Sequence, residues 1–149
     1  MTRPEERFPR RLRLKRRRLL RPLFRKGHAQ TVAAGVVRLV FRAVPRAQVP
    51  ADVPIQIAFV PGRQPSAVVR NRVRRTLREV YRRHHRPLVD LLALPADQAL
   101  TVAVLFRGTV APDLFARVAT DLPRALYRMA DALAAANPSF VHNRTAGPS

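Results

Sequence analysis

Arginine residues recur in one stretch of the chain at a spacing that would place them on one face of a helix. Eight arginines occur in the 17 positions 70–86, and Glu79 is the only acid among them. Four of these arginines stand four residues apart and would form a continuous row on a helix, and the other four would widen the same basic face. The row consists of Arg70, Arg74, Arg78 and Arg82, and the flanking arginines are Arg72, Arg75, Arg83 and Arg86.

The single sign of these charges determines what the helix is expected to bind. Like charges at i, i+4 spacing repel one another in an isolated helix. Guanidinium groups bind phosphate oxygens through paired hydrogen bonds. A face in contact only with water is the usual alternative for a charge run, but here nearly every charge is positive. The pattern predicts that a polyanion lies along this helix, and nucleic acid is favoured over an anionic membrane.

Side chains that could cleave a phosphodiester bond are not grouped in the sequence. Metal-dependent cleavage needs clustered carboxylates, whereas the 9 acids are scattered along the chain. His84 and His85 could act without a metal only as a positioned pair, but neighbours on a helix diverge by about 100°. They are typical of a basic helix end, where cations complement the helix dipole. We therefore expect no catalytic residue and no metal ligand in the protein.

The composition is that of one small, strongly basic domain. The chain has 149 residues, a formal charge of +20 and 47% hydrophobic residues, enough for a core. It contains no cysteine, which excludes disulfides, zinc ribbons, iron–sulfur ligation and thiol nucleophiles. No apolar run approaches the roughly 18–20 residues that span a bilayer, and no apolar signal region follows the first arginines. A cytoplasmic protein is expected.

The first half of the chain shows an arm, one helix and two strands. Residues 1–17 are rich in arginine, contain two prolines and predict a flexible basic arm. A helix is expected from about Arg18 to Gly27, with an apolar stripe that starts at Leu19. Alternating residues predict a strand at 36–44, and a short apolar run predicts a second at 55–60, antiparallel to the first if they form a hairpin.

The second half predicts two long helices around a central strand. Ser66 is a candidate N-cap for the arginine helix, which is expected to end near residue 86 because Pro87 follows. The nearly continuous apolar run at 100–106 predicts a strand covered on both faces. Apolar residues three or four apart from Leu114 to Leu133 predict a last helix, kinked or broken in two at Pro123.

The arginine segment resembles the signature of a known family. Residues 70–79 read R-N-R-V-R-R-T-L-R-E, which is similar to the Arg-Asn-Arg helix of the protein subunit of bacterial ribonuclease P. Thr76 is the one departure, since the family favours an apolar residue there. The preceding A-V-V at 67–69 and the L-R-P-L-F-R-K-G at 20–27 also match family patterns, and the resemblance extends over about residues 18–136.

This resemblance implies an α+β fold, an α/β sandwich similar to a ribosomal-protein domain. A four-stranded, mainly antiparallel sheet and three helices would follow the order αβββαβα, with a left-handed crossover around the Arg-Asn-Arg helix. A short additional strand is implied at 31–34. The chain then divides into a flexible basic arm at 1–17, a single RNA-binding domain at 18–136 and a disordered tail at 137–149.

The resemblance also implies a function within a ribonucleoprotein. An RNA subunit that holds the catalytic Mg²⁺ would remove the 5′ leader of precursor tRNA, with no membrane and no obligate protein partner. The protein would bind the RNA subunit along the arginine helix and the leader in a cleft between the first helix and the sheet. The implied RNA-binding residues are Arg70, Asn71, Arg72, Arg74, Arg75, Arg78 and Arg82, and the leader-cleft candidates are Leu20, Phe24, Arg38 and Arg42.

Two departures from the family pattern bear on the leader cleft. Leu20 stands where the family usually has an aromatic residue, and the segment 61–66 replaces a sequence rich in lysine and glycine. Phe24 can be read either as a stacking residue or as a core residue. The alternative function is a ribosomal or ribosome-assembly protein that binds RNA without a catalytic partner; DNA binding or a membrane-surface role ranks third.

Overall fold

The protein folds into a sheet with helices on both faces. The structure, a computed structural model, describes residues 13–14, 17–25, 27–50, 53–91 and 97–136. Most of the predicted arm at 1–17 and all of the predicted tail at 137–149 lie outside these residues. The elements are α1 (Arg17–Leu20), β1 (Gln30–Ala34), β2 (Val37–Pro45), β3 (Ile55–Val60), α2 (Ala67–Leu91), β4 (Gln98–Phe106) and α3 (Leu114–Ala136), with short 3₁₀ turns at Arg21–Phe24 and Arg46–Gln48.

The predicted fold class and the order αβββαβα are confirmed. The implied short strand at 31–34 is present as β1. Among the helices that the structure describes, none combines the length and the apolar character needed to cross a membrane.

The four strands are arranged in the order β1-β2-β4-β3. β1 pairs antiparallel with β2, β2 pairs antiparallel with β4, and β4 pairs parallel with β3. The predicted central position of β4 is confirmed. β2 and β3 do not form a hairpin, which was the condition for their antiparallel pairing, because β4 lies between them. An apolar strand with both faces covered gains most at the centre of the sheet, where it also pairs along both edges.

Side chains from alternate positions of the strands form two cores, one on each face of the sheet. On one face Leu39 and Phe41 of β2 pack with Val73 of α2 and Leu122 of α3, all fully buried. On the other face Val40, Val44, Ala99 and Ala103 pack under Leu14, Leu19 and Leu23. The N-terminal segment and α1 cover only part of this second face, so a cleft remains beside them.

Pro22 explains why the first helix is short. α1 has four residues and continues as the 3₁₀ turn Arg21–Phe24, with Pro22 in the first turn, where its missing N–H removes no helical hydrogen bond. Leu19 and Leu23 are buried in the second core. Gly27 follows with a φ of +82°, the left-handed conformation that favours glycine after a helix end.

The other helical prolines do not end or divide their helices. α2 continues past Pro87 to Leu91, so the expected end near residue 86 is wrong. α3 is one helix through Pro123, and the expected break into two helices is not present. A proline inside a helix costs about 3 kcal/mol. In α3 the buried Leu122, Leu126 and Met129 outweigh that cost, because each contributes about 1.5–3 kcal/mol when buried.

The β1–β2 turn is tied to α3 by polar contacts. The Val36 N–H donates a hydrogen bond of 3.0 Å to Oδ2 of Asp121, and Nη1 of Arg128 donates to the Ala33 carbonyl. Gly35 has a φ of +54°, and a Cβ on it would overlap the Asp121 carboxylate. Glycine is therefore required here both for the backbone conformation and for the close approach of α3.

Candidate nucleic-acid interface

The start of α2 and its buried stripe fix which way the arginines face. Ser66 caps the helix as predicted, since its Oγ accepts a hydrogen bond of 3.2 Å from the Val69 N–H. Val73, Leu77 and Val80 are fully buried against the sheet. The opposite side of the helix therefore faces outward and carries the arginines.

All seven implied RNA-binding residues lie on α2, but at two levels of exposure. Those at the centre of the outer side are exposed: Asn71, Arg72 and Arg75. The members of the i+4 row lie beside the buried stripe and are half-buried: Arg70, Arg74, Arg78 and Arg82. The row therefore runs along the boundary between the packed and the solvent-facing sides of the helix.

Hydrogen bonds within the helix already use some of these side chains. Arg74 Nη1 donates to the Asn71 side-chain oxygen at 3.0 Å. Arg82 donates to Glu79 from Nη2 at 2.7 Å and from Nε at 3.2 Å, and Arg83 Nε adds a third bond at 3.1 Å. The hydrogen bonds from Arg82, assisted by Arg83, lower the pKa of the Glu79 carboxyl. The acid thus offsets the charge of Arg82, the last member of the row, and leaves Arg70, Arg74 and Arg78 without a contact to it.

Arg78 differs from the rest of the row because its guanidinium lies near an aromatic ring at the edge of the sheet. Its guanidinium carbon lies 6.0 Å from the centre of the Phe59 ring on β3. It lines a cleft of about 290 Å³ together with Arg13, Leu14, Ile57, Ala58, Phe59 and Arg74. Burial first, and then repulsion from Arg13, Arg74 and Arg75, lowers the pKa of Arg78. Three arginines and no described acid line this cleft, so positive charge is concentrated around it.

Arg13 belongs to this site although the sequence placed it in the flexible arm. Leu14 N–H donates a hydrogen bond of 2.7 Å to the Ile57 carbonyl, and Arg13 pairs with Ile57 as a parallel bridge. No local sequence pattern predicts this contact, because it joins segments more than 40 residues apart. Leu14 is an apolar residue among basic ones, but so is Leu12, and this feature alone does not identify the contact.

A second cleft, of about 460 Å³, lies on the other face of the sheet between the 3₁₀ turn and strands β1, β2 and β4. Phe24 is 54% exposed and lines it, so its interpretation as a core residue is wrong. Arg38 is exposed and lines the cleft from β2. The complete lining is Leu23, Phe24, Arg25, Gly27, Ala29, Thr31, Arg38, Val40 and Leu105.

The structure does not bring all four leader-cleft candidates together. Leu20 is half-buried and packs against the second core instead of lining the cleft. Arg42 is also outside the lining, and its carbonyl accepts a hydrogen bond of 3.2 Å from the buried Thr101 hydroxyl. Sequence reasoning missed Arg25 and Thr31. Arg25 directly follows Phe24, whereas Thr31 reaches the cleft through its register opposite Val40.

The two surfaces lie on opposite faces of the sheet. α2 packs on the face formed by Leu39 and Phe41, whereas Arg38 and Val40, which line the larger cleft, point the other way. No three His, Asp or Glu side chains gather as a metal site in the part of the chain that the structure describes. The arrangement offers two separate cationic surfaces for binding, one of which also presents an aromatic ring.

Comparisons with known proteins agree with the sequence motifs. A family model for ribonuclease P matches residues 8–130, which include both surfaces. The ribonuclease P protein component of Desulfovibrio desulfuricans (strain ATCC 27774 / DSM 6949 / MB) is 37% identical over 125 residues, 83% of this chain and 86% of the relative. No solved structure gives a significant match. With most of its length matched in both comparisons, the chain belongs to the ribonuclease P protein family.

Proposed function

We propose that the protein acts as the protein subunit of cytoplasmic ribonuclease P and assists the endonucleolytic removal of the 5′ leader from precursor tRNA. The observation that carries this proposal is the outer side of α2. It presents the family's Arg-Asn-Arg segment, with Asn71, Arg72 and Arg75 exposed, and its single acid is engaged by arginines of the same helix. Such a one-signed surface favours an RNA backbone.

The RNA subunit is proposed to lie along α2. Arg72 and Arg75 would each neutralise a phosphate, because guanidinium groups bind phosphate oxygens in pairs. The Asn71 amide nitrogen would be available to a backbone or 2′-hydroxyl oxygen, because Arg74 already occupies its carbonyl oxygen.

The 5′ leader is proposed to bind in the cleft beside the 3₁₀ turn. Unpaired bases stack on aromatic rings regardless of their sequence, and Phe24 offers an exposed ring there. Arg25 and Arg38 line the same cleft and would attract the leader phosphates. A single-stranded segment fits this combination better than a duplex, whose bases are stacked within the helix.

Catalysis is proposed to reside in the RNA subunit, which would hold the Mg²⁺ ions. Metal-assisted phosphodiester hydrolysis requires oxygen ligands grouped around the ion. The described acids do not supply such a group, and Asp121 and Glu79 are committed to structural contacts. The protein would supply positive charge that otherwise has to come from dissolved cations. No obligate protein partner and no membrane are proposed.

Reconstitution tests this function. The purified protein is added to a bacterial ribonuclease P RNA at low Mg²⁺, and the cleavage of precursor tRNA is followed. We expect stimulation by the wild type and a strong loss of it when Arg72 and Arg75 are both replaced by alanine. A variant with Arg117→Ala and Arg124→Ala, two exposed arginines on α3, removes the same charge and is expected to behave like the wild type.

A folded wild-type protein that gives no stimulation would overturn the proposed function. Tight binding to ribosomal RNA in that case would favour the alternative, an RNA-binding protein of the ribosome or of its assembly. Equal losses in the α2 and α3 double variants would show that net charge, and not the α2 surface, accounts for the effect.

A further inference from the structure

The smaller cleft, at the edge of β3, is built from two segments that are distant in sequence. The hydrogen bond from Leu14 to Ile57 fixes the N-terminal segment along the outer edge of β3. This contact places Arg13 beside the α2 residues Arg74 and Arg78, and all three line the cleft. None of the described residues that line it is acidic.

Three guanidinium groups around one cleft repel one another in the absence of an anion. Repulsion from Arg13 and Arg74 adds to the burial of Arg78 in destabilising its charged form. Arginine nevertheless stays protonated at neutral pH. A negatively charged group between the arginines would reduce this repulsion.

Arg78 presents a specific donor to such a group. Its Nε–H is shielded from solvent, and no residue that the structure describes offers an acceptor within hydrogen-bond distance. A buried donor without a partner costs about 1–3 kcal/mol. The Phe59 ring, itself held edge-on by Tyr81 at 5.8 Å, restricts the guanidinium to one side of the cleft. An oxygen anion in the cleft would satisfy this donor after a small rotation of the guanidinium exposes the Nε–H to the cleft.

We propose that this cleft binds a single phosphate group of an RNA backbone, held jointly by Arg13, Arg74 and Arg78. The proposal rests on the proposed function, because it assigns one phosphate of the bound RNA to this place. The cleft is continuous with the outer side of α2 through Arg74, which favours an RNA that already lies along this helix. Its volume of about 290 Å³ equals that of about ten water molecules, ample for a phosphate.

One shared phosphate has a consequence that separate contacts would not have. Removing either Arg13 or Arg78 breaks the same contact, so the second removal should add little to the first. Each lost phosphate contact lowers the slope of log K against log salt concentration by about 0.7–0.9. Two independent phosphates would lower it by twice that amount.

The test is a cycle of variants of the full chain that bind ribonuclease P RNA at several salt concentrations. The variants are Arg13→Ala, Arg78→Ala and the double variant, with Arg117→Ala on α3 as the matched control. We expect about a tenfold loss of affinity and one unit of salt slope in each single variant, no further slope change in the double variant, and no change in the control. Additive slopes, or no loss in the single variants, would overturn the proposal.

Arg78→Lys separates the specific donor from charge alone. Lysine keeps the positive charge but lacks the Nε–H of arginine. We expect the salt slope to stay near that of the wild type while the affinity falls several-fold. Wild-type affinity in Arg78→Lys would overturn the role of Nε. Circular dichroism confirms folding, and Arg13→Ala and Arg78→Lys carry the test if Arg78→Ala does not fold.

Inorganic phosphate tests the cleft without RNA. In ¹⁵N-labelled protein, the Nε–Hε resonance of Arg78 is expected to shift on addition of phosphate, and the shift should weaken in Arg13→Ala. An unresponsive resonance would overturn the anion site even if the protein stimulates ribonuclease P RNA. A phosphate shift together with unchanged RNA slopes would overturn the assignment to RNA and indicate another anion, such as a protein carboxylate. Failure of stimulation by the wild type would count against the proposed function alone.

Discussion

Within the arginine face of α2, side chains differ in what they already contact. Arg82 binds Glu79 through two nitrogens, whereas no described acid or acceptor contacts the guanidinium groups of Arg72 and Arg75. An arginine that must give up an ion pair contributes less binding free energy to a phosphate contact than an arginine that faces water. The motif predicts one continuous row of equivalent charges. The contacts show that these arginines differ in how available each guanidinium is to a phosphate.

This ranking predicts unequal effects of equal substitutions. Arg72→Ala and Arg75→Ala are each expected to weaken binding to the RNA subunit and to lower the salt slope by about 0.7–0.9. Arg82→Ala is expected to have a smaller effect, since its charge is largely offset by Glu79. Filter binding at several salt concentrations measures both quantities. Equal slopes for all three variants would show that the Glu79 pair opens when RNA binds.

Substitution of Glu79 is expected to have the opposite effect, an increase in RNA affinity. Glu79→Gln removes the carboxylate that pairs with Arg82 and Arg83, so it no longer offsets their positive charge. We expect tighter RNA binding and a steeper salt slope in the same binding assay. A weaker-binding but folded Glu79→Gln variant would show that the acid positions Arg82 for the RNA.

The same substitution predicts a pH dependence of stability. The pKa of Glu79 is lowered in the folded protein, so its ion pairs stabilise above the unfolded value of about 4.3. This contribution is lost as the pH falls through the lower folded value. Each pair on an exposed helix contributes about 0.2–0.5 kcal/mol. Thermal unfolding should show Glu79→Gln less stable than the wild type at pH 7, with the difference vanishing at acidic pH.

Substitution of Phe24 is expected to affect tRNA binding only when the tRNA carries a leader. Its exposed ring is expected to stack on a leader base, which contributes about 1–3 kcal/mol. Phe24→Ala should therefore weaken the binding of precursor tRNA to the holoenzyme and leave the binding of leaderless tRNA unchanged. Tyr127→Ala, which removes an aromatic ring of similar exposure from α3, is the control. An equal loss for both tRNAs would place the leader elsewhere.

Among the elements, the β1–β2 turn shows how α3 holds the sheet. Gly35→Ala forces a left-handed conformation on alanine, at about 1–2 kcal/mol, and adds overlap with Asp121. We expect a lower free energy of unfolding, measured by denaturant titration. Gly27→Ala is the control, because Gly27 also has a positive φ but no atom lies within 4 Å of the added Cβ. Equal losses would mean that the Asp121 contact adjusts without cost.

The elements also show which parts of the fold can be predicted from sequence. α2 was predictable because Val73, Leu77 and Val80 repeat at helical spacing beside the arginines. Whether β2 and β3 form a hairpin could not be predicted, because strand order depends on where the later strand β4 inserts. Arg13 escaped prediction for the same reason, since its position depends on pairing with distant Ile57. Local spacing determines a helix face, whereas sheet neighbours depend on the whole chain.

At the scale of the molecule, the sheet separates the two proposed binding surfaces. Arg72 and Arg75 lie on the outer side of α2, and Phe24 and Arg38 lie across the sheet from that helix. Packed layers are about 10 Å apart, so charges on the outer sides of two layers are separated by more than the screening length of about 8 Å at physiological salt. Charges on the two surfaces should therefore influence one another little.

This separation predicts that assembly and leader binding can be impaired independently. Arg72→Ala with Arg75→Ala should weaken the binding of the RNA subunit. At saturating protein, the preference for leader-bearing over leaderless tRNA should be retained. Phe24→Ala with Arg38→Ala should lower the preference for leader-bearing tRNA and leave the binding of the RNA subunit unchanged. In the combined variant the free-energy changes should add within about 0.5 kcal/mol, because distant sites without shared partners are additive. A loss of leader preference in the α2 variant would show that the two surfaces are coupled through the sheet, whose largely buried β4 strand is their shared support.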